Sequence, residues 1–66
     1  MKSLSILIPI YNEEESLQAL FDELKSSFEK NQSVEIIFIN DGSSDMSQKV
    51  IENEIANYST WKLINL

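Results

Sequence analysis

Two short runs of branched apolar residues, Leu4–Ile10 (LSILIPI) and Val34–Asn40 (VEIIFIN), stand on either side of a segment with helical spacing. Each run is apolar at consecutive positions in its centre, the pattern of a strand covered on both faces rather than of a half-wet antiparallel strand. Between them, Leu17, Leu20, Phe21, Leu24 and Phe28 recur at i, i+3, i+4, i+7 and i+11, which is one face of a helix. A strand, a helix and a second strand in that order make a parallel pair, because the helix carries the chain back to the starting edge. The pattern then repeats. Met46, Val50, Ile51, Ile55 and Tyr58 form a second, less regular helical stripe, and Trp61–Leu66 alternates as a third strand. The chain thus reads β-α-β-α-β, with right-handed crossovers. Trp61 and the Leu/Phe stripe are expected in the core.

Local signals suggest the boundaries. Pro9 cannot donate to a ladder, so regular pairing is expected to end there. Asn12 followed by Glu15 has the spacing of a capping box, and Glu13, Glu14 and Glu15 suit the positive end of a helix dipole. The helix is expected to stop near Lys30 to Ser33. Asp45 with Gln48 repeats the cap pattern for the second helix. Strand order 3-2-1 would put both helices on one face of the sheet and leave the other bare; order 2-1-3 would put one helix on each face. Either leaves a three-stranded sheet with two open edges. The chain also stops at an apolar strand. Residues 1–66 are therefore expected to be the opening part of a single larger α/β domain, and the isolated piece is open to self-association.

Composition narrows the function. A domain of 66 residues buries only about 60% of its unfolded surface. There is no Cys and no His, which excludes disulfides and the usual zinc sets. Net charge is −6, from 11 acidic and 5 basic residues, which opposes binding to a nucleic-acid backbone. No segment approaches the roughly 18 apolar residues of a membrane span. Met1-Lys2 before an apolar run is the only hint of a signal peptide, and Pro9, Tyr11, Asn12 and the glutamates that follow do not resemble a cleavage region.

Parallel strands bring their carboxyl ends together, and open α/β sheets bind ligands outside those ends. The segment Pro9-Ile10-Tyr11-Asn12-Glu13 should therefore adjoin Asn40-Asp41-Gly42-Ser43-Ser44-Asp45. Together they offer a proline, an aromatic ring and carboxylates on one rim. That suits a nucleoside, whose base N–H or ribose hydroxyls a carboxylate can accept and whose ring or sugar a Tyr can cover. Asp41 is the strongest candidate, because Asp45 already accounts for the helix cap. Glu13 has the alternative of serving only the helix dipole, and Tyr11 of packing at the rim. Neither G-x-G-x-x-G nor G-x-x-x-x-G-K-[ST] occurs, so no glycine-rich loop holds a pyrophosphate here.

These residues resemble a known family. Ile6-Leu7-Ile8-Pro9-Ile10-Tyr11-Asn12-Glu13-Glu14-Glu15, a helix, then Glu35-Ile36-Ile37-Phe38-Ile39-Asn40-Asp41-Gly42-Ser43-Ser44-Asp45, is similar to the start of family 2 glycosyltransferases. The variant is similar to the branch that loads sugars onto polyprenyl phosphates. The resemblance implies a GT-A fold, a Rossmann-like nucleotide-diphospho-sugar-binding sheet with order 3-2-1 at this end. It implies a nucleotide-sugar donor, UDP-linked, and Mg²⁺ or Mn²⁺. It implies a polyprenyl phosphate or saccharide acceptor, work at the cytoplasmic face of a membrane or in the cytoplasm, and a role in cell-envelope polysaccharide. Matched by position, Pro9, Tyr11 and Glu13 fall in the first nucleotide-contacting loop, and Asp41, with Ile39 beside it, is the carboxylate that contacts the base. Many relatives carry Asp where this chain has Asn40. The family's Asp-x-Asp metal motif does not occur, and Glu52-Asn53-Glu54, which has its spacing, should lie on a helix. Metal ligands, catalytic base and acceptor site are expected beyond Leu66, so no catalytic or metal-binding residue is assigned and the 66 residues alone are expected to be inactive. The alternative readings are a non-catalytic nucleotide-binding module and a structural module.

Overall fold

The computed structural model describes residues 3–28 and 33–66. Strand β1 (Leu4–Ile10) leads into helix α1 (Leu17–Phe28), strand β2 (Val34–Asn40), helix α2 (Ser47–Ile55) and strand β3 (Trp61–Asn65). The three strands are parallel in the order β1-β2-β3, with Ile10 opposite Asn40 and Asn40 opposite Asn65. This is the 3-2-1 arrangement read from its other edge. The expected stop of the first helix falls mostly outside the described residues.

Alternation along the strands decides where the core forms. Ile10, Val34, Ile36, Phe38 and Trp61 are buried on one face, and Leu17, Phe21, Leu24 and Ile51 cover them from the two helices. Phe21, Phe38 and Trp61 form an aromatic cluster with centroids 5.7–6.1 Å apart, and Tyr58 stacks on Trp61 at 4.4 Å. Lys25 ties α1 to α2 through Glu54 at 3.0 Å, and the Glu54 carboxylate holds the lysine pKa above its ordinary value. The opposite face carries no helix among the described residues. Leu7 is 59% and Ile64 47% exposed there, with Ile37 and Ile39 half-buried between them. Near its amino end, Glu35 accepts from Ser5 and pairs with Lys62 at 3.2 Å, contacts that lower the carboxyl pKa, with Lys62 the larger influence.

Three boundary expectations need correction. Pairing does not end at Pro9, which is in register with Ile39. The Leu4 N–H donates to Ser33 O and the Ile10 carbonyl accepts from Asp41 N–H, so the even-numbered residues of β1 face β2. Pro9 turns its missing donor toward the free edge of the sheet and costs no ladder bond. Helix α1 begins at Leu17, with the Ser16 carbonyl accepting from Leu20 N–H, and not after Asn12, whose φ is +48°. Helix α2 follows Met46, and Asp45 lies one residue ahead of that cap position. Its inward stripe contains Ser47, fully buried, in place of Met46, which is 53% exposed.

Candidate functional site

Because all three strands run the same way, the turns after β1 and β2 emerge at the same end of the sheet. They are bonded to each other over almost their whole length. The Asn12 side-chain oxygen accepts from Ser44 N–H at 2.7 Å and Asp45 N–H at 3.2 Å, and the Asn12 N–H donates to Ser43 Oγ at 3.0 Å. Glu13 N–H donates to the buried Ser47 Oγ at 2.9 Å. Glu14 N–H donates to Asp45 Oδ2, and Met46 N–H returns a bond to Glu14 Oε1, both at 3.3 Å. Asp45 Oδ1 also accepts from Ser47 N–H at 2.8 Å. The amides just ahead of α1 and just ahead of α2 are thus satisfied largely across the gap between the loops, while the first amide of α2 itself, Ser47 N–H, is held by Asp45 within the second loop. Free amides at helix starts need such acceptors.

A second chain of bonds anchors the second loop to the sheet. Asn40 is buried at the end of the central strand; its Nδ2 donates to Asn65 Oδ1 at 2.9 Å and its Oδ1 accepts from Ser43 N–H at 3.1 Å. Its carbonyl accepts from Leu66 N–H. Asn40 therefore joins the second loop to β3 and lies on the core face. Gly42 takes φ +71° in the turn, with open space around the position a Cβ would occupy, so the backbone conformation alone favours glycine there.

The expected site residues divide. Pro9 and Ile39 are register partners on the helix-free face. Tyr11, 60% exposed, follows the end of β1, and the exposed Asp41 follows the end of β2, with its N–H bonded to Ile10 O at 3.0 Å. Glu13 instead belongs to the wall of an open concavity of about 350 Å³, which Asn12, Glu14, Glu15, Ser16 and Asp45 also line. None of Pro9, Tyr11, Ile39 and Asp41 lines it. Four carboxylates in that wall repel a phosphate, so it is no diphosphate cradle by itself. Asn12, Ser43, Ser44 and Ser47 were not among the expected site residues. The signals for them were an Asn able to adopt a left-handed conformation, and a Ser spaced at i, i+4, i+8 with Ile51 and Ile55.

Among the described residues no group of three or more His, Cys, Asp or Glu comes together in a way that could hold a metal ion. No helix among them is long and apolar enough to cross a membrane.

Residues 5–66 match the family described as glycosyl transferase family 2, which is nearly the whole chain. The chain belongs to that family. Similar proteins include the undecaprenyl-phosphate 4-deoxy-4-formamido-L-arabinose transferase of Proteus mirabilis, 47% identical over 58 residues, covering 86% of this chain and 18% of that protein. The dolichyl-phosphate beta-glucosyltransferase of Trichomonas vaginalis is 41% identical over 68 residues, covering 94% of this chain and 21% of its own. An undecaprenyl-phosphate 4-deoxy-4-formamido-L-arabinose transferase of Yersinia pestis is 46% identical over 52 residues, covering 77% and 16%. This family 2 chain therefore spans about a fifth of the length of the relatives it matches.

The clasp between the loops has a pH signature. Bonds from Ser47, hydroxyl first and amide second, and from the Glu14 amide hold the Asp45 carboxyl below its ordinary value. A lowered folded-state pKa stabilises the fold above the unfolded value, and that contribution disappears as pH falls through the lowered one. Stability is expected to drop below roughly pH 4, and Asp45→Asn should flatten that acid limb in urea melts taken from pH 2 to 6. An unchanged slope in the variant would remove Asp45 from the clasp.

Proposed function

We propose that this chain is the opening, donor-nucleotide-binding part of a larger glycosyltransferase domain. The observation that carries the reading is a pair of mutually bonded loops at the carboxyl end of one parallel sheet, within a chain that matches glycosyl transferase family 2 over residues 5–66. The exposed Asp41 carboxylate makes no side-chain hydrogen bond among the described residues and so has accepting capacity for a base N–H or for ribose hydroxyls. Tyr11 supplies a ring at the neighbouring strand end, and Pro9 with Ile39 supplies an apolar floor between the two. Glu13 contacts the donor from the first loop. The bare apolar sheet face and the share of the relatives covered support a domain that continues over that face.

The donor is a nucleotide sugar, UDP-linked; the acceptor is a polyprenyl phosphate, in keeping with the names of the relatives. Residues outside this chain would hold Mg²⁺ or Mn²⁺, which would supply charge neutralisation to the leaving diphosphate. The acceptor's phosphate oxygen is ionised near neutral pH, so a base, also outside this chain, would be required only by a hydroxyl acceptor. The protein works at the cytoplasmic face of a membrane, toward envelope polysaccharide. To test the donor assignment, UDP, GDP and CDP are titrated with Mn²⁺ into the full-length protein by calorimetry. UDP is expected to bind most tightly. Preference for another of the three would move the base assignment, and binding of none would remove the nucleotide reading.

A further inference from the structure

We propose that Asn12 is a positioning residue for the donor rim, acting through Asp41 and Tyr11 rather than on the donor itself. The inference rests on the nucleotide-binding reading above. Asn12 occupies a left-handed conformation at φ +48°, which few non-glycine residues adopt readily. In return its one carboxamide oxygen gathers two consecutive amides of the opposite loop, Ser44 and Asp45, and the Ser44 hydroxyl at 3.4 Å. Its own N–H reaches Ser43 Oγ, and Ser43 N–H in turn reaches Asn40 Oδ1. A continuous path of bonds thus runs from Asn65 on β3, through Asn40 and Ser43, to Asn12 on the first loop. Tyr11 is next to Asn12 in sequence, and Asp41 lies between Asn40 and Ser43. Both rim side chains are exposed and unbonded among the described residues, so neighbouring backbone contacts set where they stand. A rim fixed before the ligand arrives spares the binding step the cost of ordering it.

The test is a double-mutant cycle in the full-length protein, with UDP and Mn²⁺ as the probe. Asn12→Gly keeps the left-handed backbone and removes the acceptor oxygen. It is expected to weaken UDP binding about fivefold or more, while the thermal midpoint moves by less than about 4 °C. In an Asp41→Ala background the same change is expected to cost clearly less than in the parent, because one of the two residues it positions is gone. Ser43→Ala, which removes the hydroxyl that accepts the Asn12 N–H, is less demanding on folding and should show the same loss and the same coupling. Unaltered UDP affinity in both variants, or an equal loss with and without Asp41, overturns the inference while leaving nucleotide binding intact. If the unmutated protein binds none of UDP, GDP and CDP, the nucleotide reading fails and this inference falls with it, a result distinct from either.

Discussion

Replacing Asp41 by alanine is expected to weaken UDP binding to the full-length protein by about ten- to a hundredfold, since a hydrogen bond accepted by a carboxylate contributes about 1.5–3 kcal/mol. The fold itself should hardly register the change. The Asp41 side chain is exposed and makes no hydrogen bond among the described residues, while its backbone N–H keeps the bond to Ile10 O whatever the side chain. Stability is thus expected to stay within about 0.5 kcal/mol of the parent, as for surface positions generally. Asp45→Ala makes the useful contrast. That carboxylate accepts from Ser47 and Glu14 within the clasp, so its loss should show first in the melt. Calorimetry and urea melts on the two variants separate a ligand-facing carboxylate from a structural one. Equal UDP affinity in Asp41→Ala and the parent would end the role given to Asp41.

The strands were readable in the sequence because their signal is short-range. Leu4–Ile10 and Val34–Asn40 begin and end where the runs of branched residues do. The starts of the helices were not readable, and the reason is physical. Asn12 and Asp45 each satisfy a local cap rule, with an acidic or amide partner three residues on. In the folded chain Asn12 bonds across to residues 31 to 33 positions away, and Asp45 divides its oxygens between its own helix and the other loop. A rule that looks three residues ahead is blind to a partner brought near by parallel strand pairing. Asn40 shows the same limit. Beside Asp41 it resembles half of an acidic pair with one charge removed; in the structure it is buried, and both ends of its carboxamide bind the chain. The adjacency of the two loops, by contrast, followed from strand direction alone, which the alternation of elements had already set.

Phe38→Ala is expected to destabilise the full-length protein by about 3–5 kcal/mol, the range for deleting a fully buried aromatic ring. Phe38 is completely buried, edge-on to Phe21 and tilted against Trp61, each at 5.7 Å, so its removal opens the centre of the contact between sheet and helices. Its neighbour Ile37 points to the other face, which no helix among the described residues covers. In a chain of this extent alone, Ile37→Ala removes a half-wet side chain and should cost about 1 kcal/mol or less. If the larger domain lays further elements over that face, the same substitution in the full-length protein should cost about 2–5 kcal/mol, as Ile→Ala does in a closed core. Denaturant melts of the two variants, made on adjacent residues of one strand, therefore read the two faces of the sheet separately. A small loss at Phe38 would contradict the core described for the sheet and helices. A large loss at Phe38 with a negligible one at Ile37 would keep that core and remove the covering domain, because only an uncovered sheet can be so indifferent to one of its faces.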